Sequence, residues 1–517
     1  MSAFTFTLAF PSCILAGTTA PASSPADPLD PPLGVFADEW FAVMMAGKKC
    51  GRMHTRMQRI KGPDGDLIES WSKMQITVLR GTAEISVALD SRTIETLDGR
   101  PQSFRRVMYL GKQPVISEGT IRDGQVSITT TQLGMPATPQ THGYPEGALM
   151  EWGAFREQIR QGLAPGTRYE MLLYDPTVAP DKGCRTTIEV VGPDVVDLFG
   201  RKVNATKVRQ VTRLPSLLGG PTEQESTVWL TDAATAVRME TPLLDFRIDI
   251  IACPKTVAMA PNDPAELMLE TLVPLAKPLH PESARKITYR IRLKKAADEI
   301  PLPSFPETAM QQILAADPRR ITLAVTRRSA LADRSAEKLS DEDRRRYLTP
   351  SAAANFKDPK VAELARQVGG AEKDPWKLAD KLSRFVCEYI TGKNLSVGFA
   401  TASEVARSRE GDCTEHGVLL AALARYHGIP SRVATGLVYT NHFEGRSNVL
   451  VGHLWTQLWI DGQWVDIDPT LHQHTDVDPS HIVMAIGAIN DDGFADLVAA
   501  TWLSLGRFAV DVVEVEP

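Results

Sequence analysis

The dipeptide Asp461-Gly462, set between two segments that alternate apolar and polar residues, constrains this chain more than any other pair. Asp-Gly in that setting marks a two-residue hairpin turn. Leu450 to Ile460 runs into the turn with His453, Trp455, Gln457 and Trp459 on one face, and Gln463 to Asp468 runs back. A two-residue turn pairs Ile460 with Gln463, so Asp466 faces Gln457, Asp468 faces Trp455, and His453 stands diagonal to Asp468 on the same face. A three-residue turn would slip the register by one and throw Asp468 to the opposite face. The spacing therefore predicts that an imidazole and a carboxylate meet.

Upstream, Glu410-Gly411-Asp412-Cys413-Thr414-Glu415-His416-Gly417 opens a helix with a cysteine in its first turn. Asp412 is placed to cap it, and Glu415 has the reciprocal spacing of a capping box. Val418, Leu419, Ala422 and Leu423 follow at helical spacing, and Gly428 and Pro430 end the element. Unpaired N–H groups and the positive end of the helix dipole favour thiolate at such a position, which makes Cys413 a candidate nucleophile. With His453 to take its proton and Asp468 to orient the imidazole, the three side chains supply what nucleophilic acyl transfer needs. The first-turn N–H of Cys413 is a natural oxyanion donor.

The rest of the chain sets this region in a larger protein. At 517 residues it exceeds one typical core. Residues 1–34 read as a signal peptide and tether: Phe4 to Gly17 is an apolar run, Ala20-Pro21-Ala22 fits a cleavage site, and a Pro- and Ser-containing stretch follows. Export to the periplasm or the extracellular space is the expectation. Residues 35–295 carry short alternating segments, among them Gln75 to Leu79, Glu84 to Leu89 and Thr187 to Val191. Asp64-Gly65, Asp98-Gly99 and Asp123-Gly124 punctuate them, so the region reads as an antiparallel β-rich domain of unassigned role. One helix is expected near Gly147 to Gln161. Residues 296–346, rich in Arg, Asp and Glu, read as a charged helical connector, and 347–517 as an α+β domain whose last strand is Gly506 to Val515. Helices are expected from Pro359 and from Pro375, the second capped by Asp374.

Ser403-Glu404-Val405-Ala406 with Arg409 to Cys413, Gly452-His453-Leu454-Trp455, and Trp464 to Thr470 together resemble the transglutaminase-like superfamily. The resemblance covers about residues 345 to 490. It implies a papain-like α+β domain with Cys413 as nucleophile, His453 as base and Asp468 as its orienter. That family includes protein crosslinkers, proteases, peptide N-glycanases and inactive relatives. The implied function is acyl transfer or hydrolysis at amide bonds of a protein or peptide substrate; the alternative is a catalytically silent binding or scaffold protein.

Other chemistries find less support. A net charge of -6 offers no basic footprint for nucleic acid, and no stretch reaches the ~20 apolar residues of a membrane span. The six cysteines lack metal-ligand spacing, and no cofactor or metal is assigned. His416 is a rival base, but at i+3 on the same helix it points back toward the first turn. His442, His472, His474 and His481 read as a polar rim; His472-x-His474 could ligate metal but has no third ligand at matching spacing.

Overall fold

The computed structural model describes residues 27–517 save 82, 110–112, 177–180, 215–221, 244–245, 267, 295–301, 328–337, 394, 396–399 and 490–504. The leader read at Phe4 to Ala22 lies outside the described residues.

Alternation in the N-terminal half produces a fourteen-stranded antiparallel sheet running from Gly34 to Ala252. Successive hairpins lead from the strand Gly34–Met45 to one edge at Pro139–Gly143. After the helix Glu151–Gln161 the chain re-enters at the other edge, Arg168–Leu173, and returns to pair Phe246–Ala252 with Gly34–Met45. At the Asp123-Gly124 turn both residues have positive φ, 49° and 70°, as a two-residue hairpin with the sheet's own twist requires. Inward residues such as Phe41, Val43, Met53, Met74, Ile188 and Ile250 form the core of this domain, and the helix adds Trp152 and Phe155.

The C-terminal region is the α+β domain expected. Four helices, Pro359–Gly369, Pro375–Tyr389, Ala402–Ser408 and Cys413–Tyr426, pack with a five-stranded antiparallel sheet. At its centre Ser431–Phe443 pairs with Arg446–Ile460, which also carries Gln463–Ile467 and the two-residue strand Val273–Pro274. Each helix start is capped as its sequence dictates: Asp358, Asp374, Thr401 and Asp412 all accept backbone N–H groups, the last two in full capping boxes.

The segment between the two domains departs from expectation. Where a helical connector is read at 296–346, the chain forms strands Gln311–Asp317 and Arg320–Thr326 before the short helix Asp341–Leu348. These strands build a third, four-stranded sheet with Lys286–Leu293 and Phe508–Glu516. The last strand thus exists but joins this sheet rather than the five-stranded one, and Lys286–Leu293 leaves the N-terminal sheet. Both moves follow from burial, because Ile287, Tyr289, Ile291, Leu323, Val325 and Phe508 share one core with Leu437, Leu450 and Ile482. The boundary read at residue 295 therefore falls before Val273. Among the described residues, no helix is long and apolar enough to cross a membrane.

Candidate active site

Asp461 and Gly462 adopt φ of 48° and 82°, the two-residue turn the dipeptide calls for, and the register follows from it. Ile460 pairs with Gln463 and Gln457 with Asp466. Asp468 lies one step beyond the ladder, where it exchanges backbone hydrogen bonds with Gln473. His453 Nε2 comes to 2.7 Å from Asp468 Oδ2, with both side chains buried. Because the carboxylate accepts, this nitrogen donates, so in the neutral imidazole the lone pair falls to Nδ1. Asp468 Oδ1 accepts from the N–H groups of Thr470 and Leu471, so the carboxylate is fixed on both oxygens. The two histidines that face Asp468 hold it well below the usual carboxylate range despite complete burial.

Asp466 serves a different group. Its Oδ1 accepts from Trp455 Nε1 at 2.6 Å and from Gln457 Nε2 at 2.8 Å, and burial raises its pKa. It locks Trp455 and does not meet His453.

Cys413 opens its helix as expected: Asp412 Oδ1 accepts from Thr414 N–H at 3.0 Å, and Glu415 Oε2 accepts from Asp412 N–H at 3.0 Å. The sulfur lies against the histidine strand, reached by the backbone N–H of Leu454, the residue after His453. No hydrogen bond joins Cys413 to His453 among the described residues. The side chain is only 6 % exposed, and burial pushes the thiol well above its ordinary range, with Asp412 adding to the shift and Arg80 opposing it. The thiolate expected from the helix start is thus outweighed by desolvation.

His416 points back as its position dictates, donating Nδ1–H to the Asp412 carbonyl at 2.6 Å, and burial lowers its pKa. His472 and His474 turn to separate partners. They fasten the loop after Asp468 to the helix Pro375–Tyr389, through Cys387 Sγ at 3.2 Å and Ser383 Oγ at 2.8 Å.

His481 belongs to the centre rather than the rim. Its Nε2 lies 3.1 Å from Asp468 Oδ2 and its Nδ1 3.5 Å from Asp478 Oδ1, and these carboxylates raise it to about 9 against the pull of burial. The sequence signal was weak, since His481 is one histidine among several. Its placement depends on Ile482–Gly487 pairing with Ser431–Phe443, which sets Val483 opposite Gly436, itself opposite His453. The ligand atoms of His453, Asp468 and His481 lie within 4.8 Å of one another and are the described group able to take a metal ion. Both ring nitrogens already sit at hydrogen-bond distance from one carboxylate oxygen, the arrangement of a proton-sharing cluster. Arg80, from the N-terminal sheet, is the other residue missed: its Nη1 is 2.6 Å from Asp412 Oδ2.

A helix headed by cysteine thus packs on a strand whose histidine is held by the aspartate beyond the next turn. Residues 362–469 match the family model described as the transglutaminase-like superfamily. No match to a curated protein was found. Among solved structures the chain is similar to a β-barrel-like protein of the DUF1849 domain from Brucella abortus (14% identity, 43% of this chain and 97% of that one, TM-score 0.33). It is also similar to a candidate cysteine protease from Cytophaga hutchinsonii (16%, 44% and 86%, TM-score 0.28) and to a candidate protease from Parabacteroides distasonis (11%, 73% and 68%, TM-score 0.19). At these TM-scores the likenesses carry no argument, and the family match covers residues 362–469 alone.

Proposed function

We propose that the chain is a cysteine-nucleophile enzyme that acts on amide bonds of a protein or peptide substrate, by hydrolysis or by acyl transfer. The observation that carries this reading is the buried 2.7 Å contact between His453 Nε2 and Asp468 Oδ2, one residue from the Leu454 N–H that reaches Cys413.

In this reading His453 Nδ1 takes the Cys413 proton as the sulfur attacks the amide carbonyl. Asp468 holds the tautomer and stabilises the imidazolium. The N–H of Cys413 faces the developing oxyanion. Collapse breaks the C–N bond, the amine leaves with the proton from His453, and a thioester remains on Cys413. Water or a second amine then attacks the thioester carbonyl, gives a proton to His453, and releases the thiol. The choice between those two acceptors separates hydrolase from transferase.

A silent scaffold is the second reading, and the burial of Cys413 is the observation that favours it. Assay of the wild type and Cys413→Ala against a glutaminyl donor with an amine, and against a plain peptide pool, separates the two. Activity abolished by the substitution supports the enzyme; inactivity on both substrates with an unreactive Cys413 supports the scaffold. The apolar run at Phe4 to Gly17 supports placing the protein outside the cytoplasm, a proposal tested by fractionation of cells expressing the full chain.

A further inference from the structure

Asp412 stands immediately before the proposed nucleophile and is buried with it. Its Oδ1 is occupied by the N–H and hydroxyl of Thr414 at 3.0 and 2.9 Å, while Oδ2 turns to Arg80 Nη1 at 2.6 Å. The two side chains are 8 % and 9 % exposed. Arg80 ends the strand Gly65–Arg80 of the N-terminal sheet, 332 positions earlier in the chain, so the pair is a contact between domains.

The approach of this hairpin is fixed from two sides. Leu79 N–H donates to the Ala265 carbonyl at 2.9 Å, and Gly81 N–H to Glu266 Oε1 at 3.2 Å. The chain from Ala265 runs on to Val273–Pro274, which is paired with the histidine strand at Leu450 and Val449. Gly81 has φ +66°, and a Cβ there would meet the Glu444 side chain at 2.6 Å, so the turn is seated against the hairpin that precedes the histidine strand.

We propose that Arg80 completes the site from the N-terminal domain, as a positioning residue that neutralises Asp412 and so allows Cys413 to lose its proton. The proposal rests on Cys413 being the nucleophile. A lone carboxylate beside the sulfur, in a site closed to water, opposes a thiolate through a field that solvent does not screen. The guanidinium cancels that field while leaving Asp412 free to cap the helix. The charged and titratable groups that act on the sulfur are Asp412 and Glu415 at the start of its own helix and Arg80 on the hairpin; burial raises Glu415 well above the carboxylate range, toward the neutral acid. Arg80 is thus the permanent cation of the set. On this account the β-rich domain, whose role composition and motifs leave open, supplies part of the active site.

The test is the pH profile of Cys413 alkylation by iodoacetamide in the full chain, read by mass spectrometry at the Cys413 peptide. Arg80→Met is expected to slow alkylation at neutral pH by about tenfold or more, the equivalent of one pKa unit. Arg80→Lys should retain most of the rate. Asp412→Asn keeps the cap, so the double variant Arg80→Met/Asp412→Asn should recover reactivity, an outcome that a merely structural role for Arg80 does not produce. A wild-type profile in Arg80→Met, or a double variant no faster than Arg80→Met, overturns the proposal. If Arg80→Met does not fold, Asp412→Asn alone decides: the unopposed guanidinium should speed alkylation, and an unchanged or slower rate overturns the role. A wild-type Cys413 labelled only after unfolding removes the nucleophile reading, and Arg80 with it; a reactive Cys413 indifferent to Arg80 removes Arg80 alone.

Discussion

Asp468→Asn is expected to cost much activity, and the same change at Asp466 little, although both carboxylates sit on one strand face. Asp468 Oδ2 accepts from His453 at 2.7 Å and His481 at 3.1 Å, while Oδ1 accepts from two backbone N–H groups. If an asparagine keeps its oxygen on the backbone donors, its NH2 faces both imidazoles. His453 must then present a lone pair at Nε2 and carry its proton on Nδ1, the nitrogen needed as the base. If the amide flips, its NH2 meets the two backbone donors instead. Loss of a general base costs about 10²–10⁴ in rate, and the matching change in a serine-protease triad about 10⁴. Removing one partner of a buried charge pair costs a further ~3–5 kcal/mol of stability. Asp466 loses far less, because an asparagine keeps the oxygen that Trp455 and Gln457 use and burial already disfavours its charge. A change below about tenfold, ~1.4 kcal/mol, is expected there. The assay is turnover of a glutaminyl donor with an amine and of a peptide pool, alongside circular dichroism and urea unfolding. Equal losses at the two positions, in folded proteins, would refute the reasoning.

Limiting iodoacetamide should modify Cys413 before Cys50 and Cys184, which burial pushes to about 11 and about 12; first reaction at Cys387, beside His472, would count against His453 as the activating base. Gly417→Ala places a Cβ 2.4 Å from Leu454 Cδ2, so the fully buried Leu454 side chain between the cysteine helix and the histidine strand must shift; a stability loss of ~1–3 kcal/mol with lower turnover is expected, and unchanged urea midpoint and turnover would oppose it. His481 rises from an ordinary 6.5 to about 9, so its ion pairs stabilise the fold fully below about pH 6.5 and are lost as pH climbs through about 9, a span of ~3 kcal/mol. Urea unfolding across that window should show the decline, and His481→Gln should flatten it; a decline of the same size in the variant would place its origin elsewhere.

The local chemistry was legible where short-range physics decides it. The Asp461-Gly462 turn left one register, and the register placed His453 against Asp468. Asp412 and Glu415 marked the helix start by a capping box closed within four residues. His481 and Arg80 were not legible, because their positions depend on contacts across 47 and 332 residues, Gly436 with Val483 and Arg80 with Asp412, that no local pattern encodes. The strands Gln311–Asp317 and Arg320–Thr326 were hidden for another reason. One side of that sheet is solvated, and its Arg, Asp and Gln residues mask the apolar alternation of Ile321, Leu323 and Val325.

The thiol shows how magnitudes reverse a sound qualitative expectation. A helix N-terminus favours an adjacent negative charge by about 0.3–1 kcal/mol, less than one pKa unit. Full burial disfavours charge by as much as 3–5 units, and a neighbouring carboxylate adds to that. Cys413 has both burdens, so the helix alone cannot hold a thiolate there. Two groups act the other way, the Leu454 N–H at the sulfur and the Arg80 guanidinium beside Asp412, and in the proposed enzyme His453, held by Asp468, is the third. In the proposed enzyme the proton therefore leaves Cys413 during attack on the carbonyl, by general-base transfer, and not beforehand. The burial that favours the scaffold reading then sets only how little thiolate stands at rest; attack on an electrophile, whether an amide or iodoacetamide, still goes through proton transfer to His453.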